Sequence, residues 1–431
     1  MWAALAAVAA LGVAGVAPGL PGGVSGDGAV ASGGTGPGGV SGGGAGLGAA
    51  VPAARPDTVR AEQWQLDALR MDAAWRLATG SGVTVAVLDS GVDAKHPDLV
   101  GQVLPGVDLV SGTGDGRTDP VGHGTTVAGF VAGRNDDDRG VVGLAPQAKI
   151  LPVRVLDADN RYDDAVIVAR GVRWAVDHGA RVLNLSLGGV GESAALAEAL
   201  DYAFAKDVVV VACTGNVTPS APTEVWYPAR EPGVVAVSGL DRGNPDILWS
   251  NSITGPATVV SAPANGLYGA RPGGYWRVQG TSFAAPLVAA TAALVRSRWP
   301  TMSAADVVNR LIRTARDIGP TGRDESYGFG AVNPVAALTA VIPTVATNPL
   351  DTAPPPGVAG FGPAPGVVDE PGTPATEAQA AGTNAAGGAA EPVAAREPKP
   401  GSGGLMTGVA IVIVLVAGGT VVVRRLDRPG F

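Results

Sequence analysis

Between residues 57 and 342 the chain alternates short, continuous apolar runs rich in valine with segments of helical periodicity. No other feature limits its fold so strongly. The runs fall at 83–88, 149–155, 181–187, 208–212 and 234–237, and the helical segments at 63–77, 121–132, 163–178 and 194–205. A strand wetted on one face alternates apolar with polar residues, so unbroken apolar runs predict strands covered on both faces, as in parallel sheets. Parallel neighbours need right-handed crossovers, which places the helices above and below the sheet. The prediction is an α/β fold of three layers, with a mostly parallel central sheet and helices on both faces. Ligands of such sheets bind at the carboxyl ends of the strands.

Four polar motifs stand at such positions. Asp89 directly follows the run 83–88, in Asp89-Ser90-Gly91. His123 lies in Gly122-His123-Gly124-Thr125, where small neighbours permit another segment to approach closely. Asn216 follows the run 208–212, in Thr214-Gly215-Asn216. Ser282 sits in Gly280-Thr281-Ser282-Phe283-Ala284-Ala285-Pro286, between the strand-like Trp276-Arg277-Val278 and an apolar helix over 287–295. Pro286 is read into the first turn of that helix, where a missing N–H costs little. Taken singly, each motif has a plain structural alternative: an Asp turn, a histidine on a helix, a Gly-Asn turn, a Ser N-cap. Taken together they supply what a serine nucleophile requires, namely a base, a carboxylate to orient it and a donor for the oxyanion. His96, in a turn, and His178, at a helix end, are the other histidines; the glycine framing favours His123 as the base.

The order Asp, His, Ser resembles that of the subtilisin-like serine proteases. The resemblance covers residues 63–338 and rests on the four motifs together with Ser186-Leu187-Gly188. It implies the subtilisin-like fold and a serine endopeptidase, with Ser282 as nucleophile, His123 as base, Asp89 orienting the imidazole and Asn216 serving the oxyanion. It further implies that Ser186, Leu187 and Gly188 pair with an extended substrate, a β-augmentation. Thr214 and Gly215 would wall the pocket for the residue before the cleaved bond. Tyr227-Pro228-Ala229 would lie on its other side, with the X-Pro bond a candidate for cis. No cofactor is implied. For the calcium sites of such proteases, Asp98 matches one ligand position and 134–140 is an acidic loop where that site's loop falls. The arginines flanking this loop oppose the assignment, so no metal is assigned.

The flanks differ in texture. Half of the 65 glycines and 35 prolines fall in the flanks, which are only about a third of the chain, so the flanks are expected to be unpacked. Residues 1–31 resemble a signal peptide, with an apolar run at 2–17 and a small-x-small site at Ala29-Val30-Ala31. Residues 32–56 form a Gly-rich extension too short for a folded inhibitory prodomain. Residues 343–404 are a Pro/Ala/Gly-rich linker, and 405–423 an uncharged run of membrane-spanning length followed by Arg424 and Arg425. The positive-inside rule then puts the tail 424–431 in the cytoplasm and the catalytic domain outside. This layout, with Gln63-Trp64-Gln65-Leu66-Asp67-Ala68-Leu69-Arg70 before the catalytic domain, resembles the mycosins, membrane-anchored subtilases of actinobacterial type VII secretion systems.

That resemblance implies a protein or peptide substrate, a type VII membrane complex as partner, and a membrane held through the C-terminal helix. A chiefly structural component of the secretion complex, or a general surface subtilase, are the alternatives. A formal net charge of −8 without a basic cluster argues against a nucleic-acid partner, and none is expected. Cys213 is the single cysteine, so no intramolecular disulfide forms.

Overall fold

The computed structural model describes residues 58–162, 164–217 and 223–351. The signal-like start, the Gly-rich extension, the linker beyond 351, the span 405–423 and the tail lie outside the described residues. Among those described, no helix is long and apolar enough to cross a membrane.

The chain enters through three short helices, α1 (Thr58–Ala61), α2 (Trp64–Ala68) and α3 (Met71–Trp75). It continues through β1 (Thr84–Asp89), β2 (Val107–Asp108), α4 (His123–Ala132), β3 (Lys149–Arg154), α5 (Ala165–Asp177) and β4 (Val182–Leu185). Next come α6 (Ala194–Ala205), β5 (Val209–Cys213), β6 (Val235–Leu240) and β7 (Val260–Pro263). A hairpin of β8 (Leu267–Arg271) and β9 (Gly274–Val278) leads into α7 (Thr281–Arg298), and α8 (Ala304–Thr314) and α9 (Pro334–Thr339) follow.

Seven strands form one sheet in the order β2-β3-β1-β4-β5-β6-β7, with every pair parallel. The only antiparallel pair of strands among the described residues is the separate hairpin β8–β9. The expected α/β architecture is therefore present. β4 and β5 are buried along their whole length, which is why they read as unbroken apolar runs.

Sixteen of the eighteen residues of α7, Thr281 to Arg296, are buried. A helix apolar on all sides has no wetted face and runs through a core. Its alanines let it lie against α4 and the strands β4 to β7. Pro286 does not lie in the first turn. It is the sixth residue of α7, where its missing N–H withdraws a bond from the carbonyl four residues back, that of Ser282.

The helix predicted over 63–77 is instead α2 and α3, broken at Arg70 with φ of 54°. Tertiary anchors override the periodicity here. Trp64 Nε1 donates to the Asn265 carbonyl at 3.1 Å, and Trp75 Nε1 to the Leu144 carbonyl at 2.9 Å. β7 escaped the sequence pattern because a buried hydroxyl pair stands in its core face, Ser261 against Ser238 at 2.9 Å.

Leu185 ends β4 between β1 and β5 and has no exposed surface. Leu185→Ala should cost about 3 kcal/mol or more, because the covered sheet cannot collapse into the space left. Urea unfolding followed by tryptophan fluorescence measures this as a lowered midpoint with an unchanged slope.

Candidate active site

β1 delivers Asp89 to the carboxyl edge of the sheet, fully buried. Its Oδ1 accepts the Ser90 N–H at 2.7 Å. His123, the first residue of α4, directs Nδ1 at both carboxylate oxygens, 2.8 Å from Oδ1 and 2.9 Å from Oδ2. Nδ1 therefore carries the hydrogen, and Nε2 keeps its lone pair. The approach needs a glycine beside it: a Cβ on Gly124 would stand 2.1 Å from the Gly91 carbonyl oxygen and 3.0 Å from Asp89 Cβ.

A second carboxylate fixes the turn that presents His123. Asp119 Oδ1 accepts from Ser90 Oγ (2.8 Å), Val121 N (3.0 Å) and Gly122 N (2.7 Å). Its Oδ2 accepts from Thr125 N (2.8 Å) and Thr125 Oγ1 (2.6 Å). It thus satisfies free N–H groups at the start of α4 and lays a negative charge on the positive end of the helix. Sequence reasoning missed Asp119; the available signal was an acid four residues ahead of His123, just before the helix.

Burial opposes a charge on the imidazole, but the Asp89 carboxylate and its hydrogen bond outweigh that. Asp119 adds to their effect and Arg271 subtracts, so the His123 pKa lies above the ordinary histidine value. Arg271 comes from β8, donates to the Val121 carbonyl and stacks on Trp276 at 4.3 Å.

Ser282 is the second residue of α7, a helix preceded by Gly280 at φ of 147°. The carbonyl vacated by Pro286 accepts Ser186 Oγ–H at 2.6 Å, and Ser186 Oγ in turn accepts from Asn184 Nδ2 at 2.9 Å. The Phe283 ring lies 5.2 Å from the imidazole, centroid to centroid. Cys213 Sγ, fully buried, is 3.8 Å from Ser282 Oγ. Among the described residues no hydrogen bond joins the Ser282 hydroxyl to His123. Such bonds are often long in unliganded sites.

Among the described residues the Asn216 side chain is held through its oxygen: Oδ1 accepts from Thr281 N (2.9 Å) and Thr281 Oγ1 (3.1 Å). This fixes the amide with its Nδ2 end turned from Thr281. Gly215 N–H donates to Thr281 Oγ1 at 3.2 Å, and the Thr214 carbonyl accepts Trp226 N–H at 2.9 Å. A Cβ on Gly215 would meet the Trp226 ring at 2.4 Å, and one on Gly188 the Tyr227 carbonyl at 2.6 Å. Leu187, between Ser186 and Gly188, is buried, and its carbonyl lies 3.8 Å from Cys213 Sγ. Tyr227–Pro228 is cis. The predicted residues thus collect along one rim of the sheet. The other two histidines are tied elsewhere. His96 Nδ1 accepts Asp98 N–H at 3.2 Å, and His178 stacks on Trp174 at 3.8 Å.

The subtilase family model matches residues 80–330, more than half of the chain. The chain belongs to the subtilase family. It is therefore of the subtilisin type of serine peptidase. Fervidolysin of Fervidobacterium pennivorans is 36% identical over 315 residues, which cover 66% of this chain and 44% of that protein. The chain thus spans under half of that relative's length. Two solved structures are also similar. MycP1 from Mycobacterium smegmatis gives a TM-score of 0.57 at 31% identity, covering 65% of this chain and 85% of that one. The MycP3 protease from the type VII (ESX-3) secretion system gives 0.58 at 33%, covering 67% and 90%.

The raised pKa of His123 sets a pH dependence. As the base that the sequence predicts, His123 must be neutral to take a proton, so turnover should fall as pH drops through that pKa. Asp119→Asn removes a charge that favours the imidazolium, and the acidic limb of kcat/KM should move to lower pH. A pH–rate profile on a peptide substrate checks the direction; an unmoved limb would show that Asp119 acts on geometry alone.

Proposed function

We propose that this chain is an extracytoplasmic serine endopeptidase, tethered to a membrane by residues 405–423 and serving a type VII secretion system. The observation that carries the catalytic part is the bond of His123 Nδ1 to both oxygens of Asp89 beside the start of α7. His123 Nε2 takes the proton of Ser282 Oγ as that oxygen attacks the peptide carbonyl carbon. The electron pair of the C=O moves to oxygen, where Asn216 Nδ2 and the Ser282 N–H stabilise it. The tetrahedral centre collapses, the C–N bond breaks, and His123 returns the proton to the leaving amine. Water, activated by the same imidazole, then cleaves the acyl-enzyme.

Ser186, Leu187 and Gly188 offer an edge for an extended peptide, and Thr214 and Gly215 wall the pocket for the residue before the cleaved bond. The secretion role is supported by the likeness to MycP1 and MycP3 and by the layout of the chain around the catalytic domain. The tether is supported by the uncharged run 405–423 and the two arginines that follow it, with a signal-like start consistent with export.

Ser282→Ala should abolish labelling by a fluorophosphonate probe, and labelling retained at another serine would overturn the assignment. Asn216→Ala should lower kcat about 10²–10³-fold, a range that comes from subtilisin itself, with KM little changed. For the secretion role, cells carrying Ser282→Ala are compared with cells lacking the protein. Failure in both supports a proteolytic role, and failure only without the protein favours the structural one.

A further inference from the structure

α1 has four residues, none of them buried, yet it is fixed to a loop nearly 80 residues away. Arg60 Nη1 donates to the Asp137 carbonyl at 3.2 Å, Nη2 to the Arg139 carbonyl at 2.9 Å, and Nε to the Gly140 carbonyl at 3.2 Å. Peptide oxygens from three residues of one tight loop are thus turned toward a single positive group. Two of the loop's three carboxylates are engaged otherwise. Asp137 Oδ1 accepts the Arg139 N–H at 2.8 Å, and Asp136 pairs with Arg134. Behind the loop, the buried Asp98 accepts from Val141 N (2.7 Å) and Tyr275 Oη (3.2 Å). Burial raises the pKa of Asp98, and the charge of Arg60 is among the influences that lower it. Three residues beyond Arg60, the Gln63 amide pairs with Val142 like a strand neighbour, accepting its N–H at 2.9 Å and donating to its carbonyl at 3.0 Å.

Asp98 and this loop are where the resemblance to subtilisin-like proteases puts a calcium ligand. Calcium requires about six to eight oxygens at roughly 2.3–2.6 Å. Here three of the oxygens at hand already face a guanidinium, and a divalent ion set among them would meet like charge at close range. Among the described residues no cluster of three metal-ligating side chains exists either. The residues present do not fit the metal.

We propose that Arg60 is the structural cation of this loop. A guanidinium contributed by the entering chain takes the place of a bound metal ion and fixes the segment 137–142 to the catalytic domain. Arginine suits this role because its charge is permanent and its planar fork offers five N–H donors, enough for several carbonyls at once. A chelator cannot remove it, so the loop is ordered whether or not calcium is present.

Hydrogen exchange on the full chain in detergent tests this, with CaCl2 and with EDTA. In the wild type the amides of Val141 and Val142 should exchange at the same rate in both. In Arg60→Ala they should exchange roughly tenfold faster or more, a modest estimate for three lost charge-assisted bonds at a partly exposed site. Amides of β4 and β5 should stay as they were. Arg60→Lys, which keeps the charge but not the fork, should fall between, and it gives the same local readout if the alanine variant loses the whole domain. Calcium-dependent protection of the loop in the wild type would overturn the proposal, and so would an Arg60→Ala loop indistinguishable from it.

Discussion

A proline that cannot donate a hydrogen sets the geometry at the centre of this molecule. Pro286 leaves the Ser282 carbonyl without its helical partner, in a place where burial makes an unmet acceptor costly, about 1–3 kcal/mol. Ser186 meets that need from the end of β4, with Asn184 donating to its oxygen from within the strand. The bond is local in distance but spans 96 residues of sequence. It ties the strand that carries the Ser186-Leu187-Gly188 edge to the helix that carries Ser282. A regular helix with alanine at 286 would satisfy its own carbonyl and release that tie.

The far end of α7 is held differently. Arg296 is 2% exposed and charged, with a pKa pushed down by burial to about 10 despite the opposing influence of Asp207. It donates to the Asp207 carboxylate at 3.3 Å and to the Asp207 and Met302 carbonyls at 2.6 Å and 3.3 Å. Asp207 adopts φ of 60°, and its carboxylate also takes the Arg181 guanidinium at 3.0 Å and the Ala304 N–H. Arg296 is buried but Asp207 is nearly half exposed, and desolvation of the guanidinium offsets most of their attraction, so the pair contributes little net stability. What this one does is fix position. With polar ties at both ends and a featureless apolar stem between, α7 is registered axially by its ends rather than by its packing.

That contrast explains what could be seen in the sequence and what could not. Strands such as β4 and β5, and the helix α6, were legible because burial on both sides or on one stripe writes a period into the residues. Asp89, His123, Asn216 and Ser282 were legible because strand ends and glycine framing single them out. Asp119 and Asn184 were not. Each owes its importance to bonds with residues whose side-by-side placement only the fold creates, and an aspartate before a helix or an asparagine in a strand carries no mark of that. Pro286 was seen but misplaced, because a proline near a helix start fits the first turn equally well by pattern. The break at Arg70 was invisible for a related reason. The anchors that bend 63–77, at Asn265 and Leu144, lie on other elements.

The electrostatics of the rim follow from the same architecture. Two buried carboxylates, Asp89 and Asp119, stand near one imidazole. Hydrogen bonds hold both in place. Asp119 accepts five, three of them from backbone N–H groups at or before the start of α4, and Asp89 accepts the Ser90 N–H besides the imidazole. Both carboxylates favour a positive charge on that imidazole. The side chain that Asp89 and Asp119 share is Ser90, whose hydroxyl donates to Asp119 at 2.8 Å, lies 3.2 Å from Asp89 Oδ1 and accepts the Gly124 N–H at 3.0 Å. A single hydroxyl thus couples the acid bonded to His123 to the acid that holds its helix, and the position of the imidazole is fixed through both.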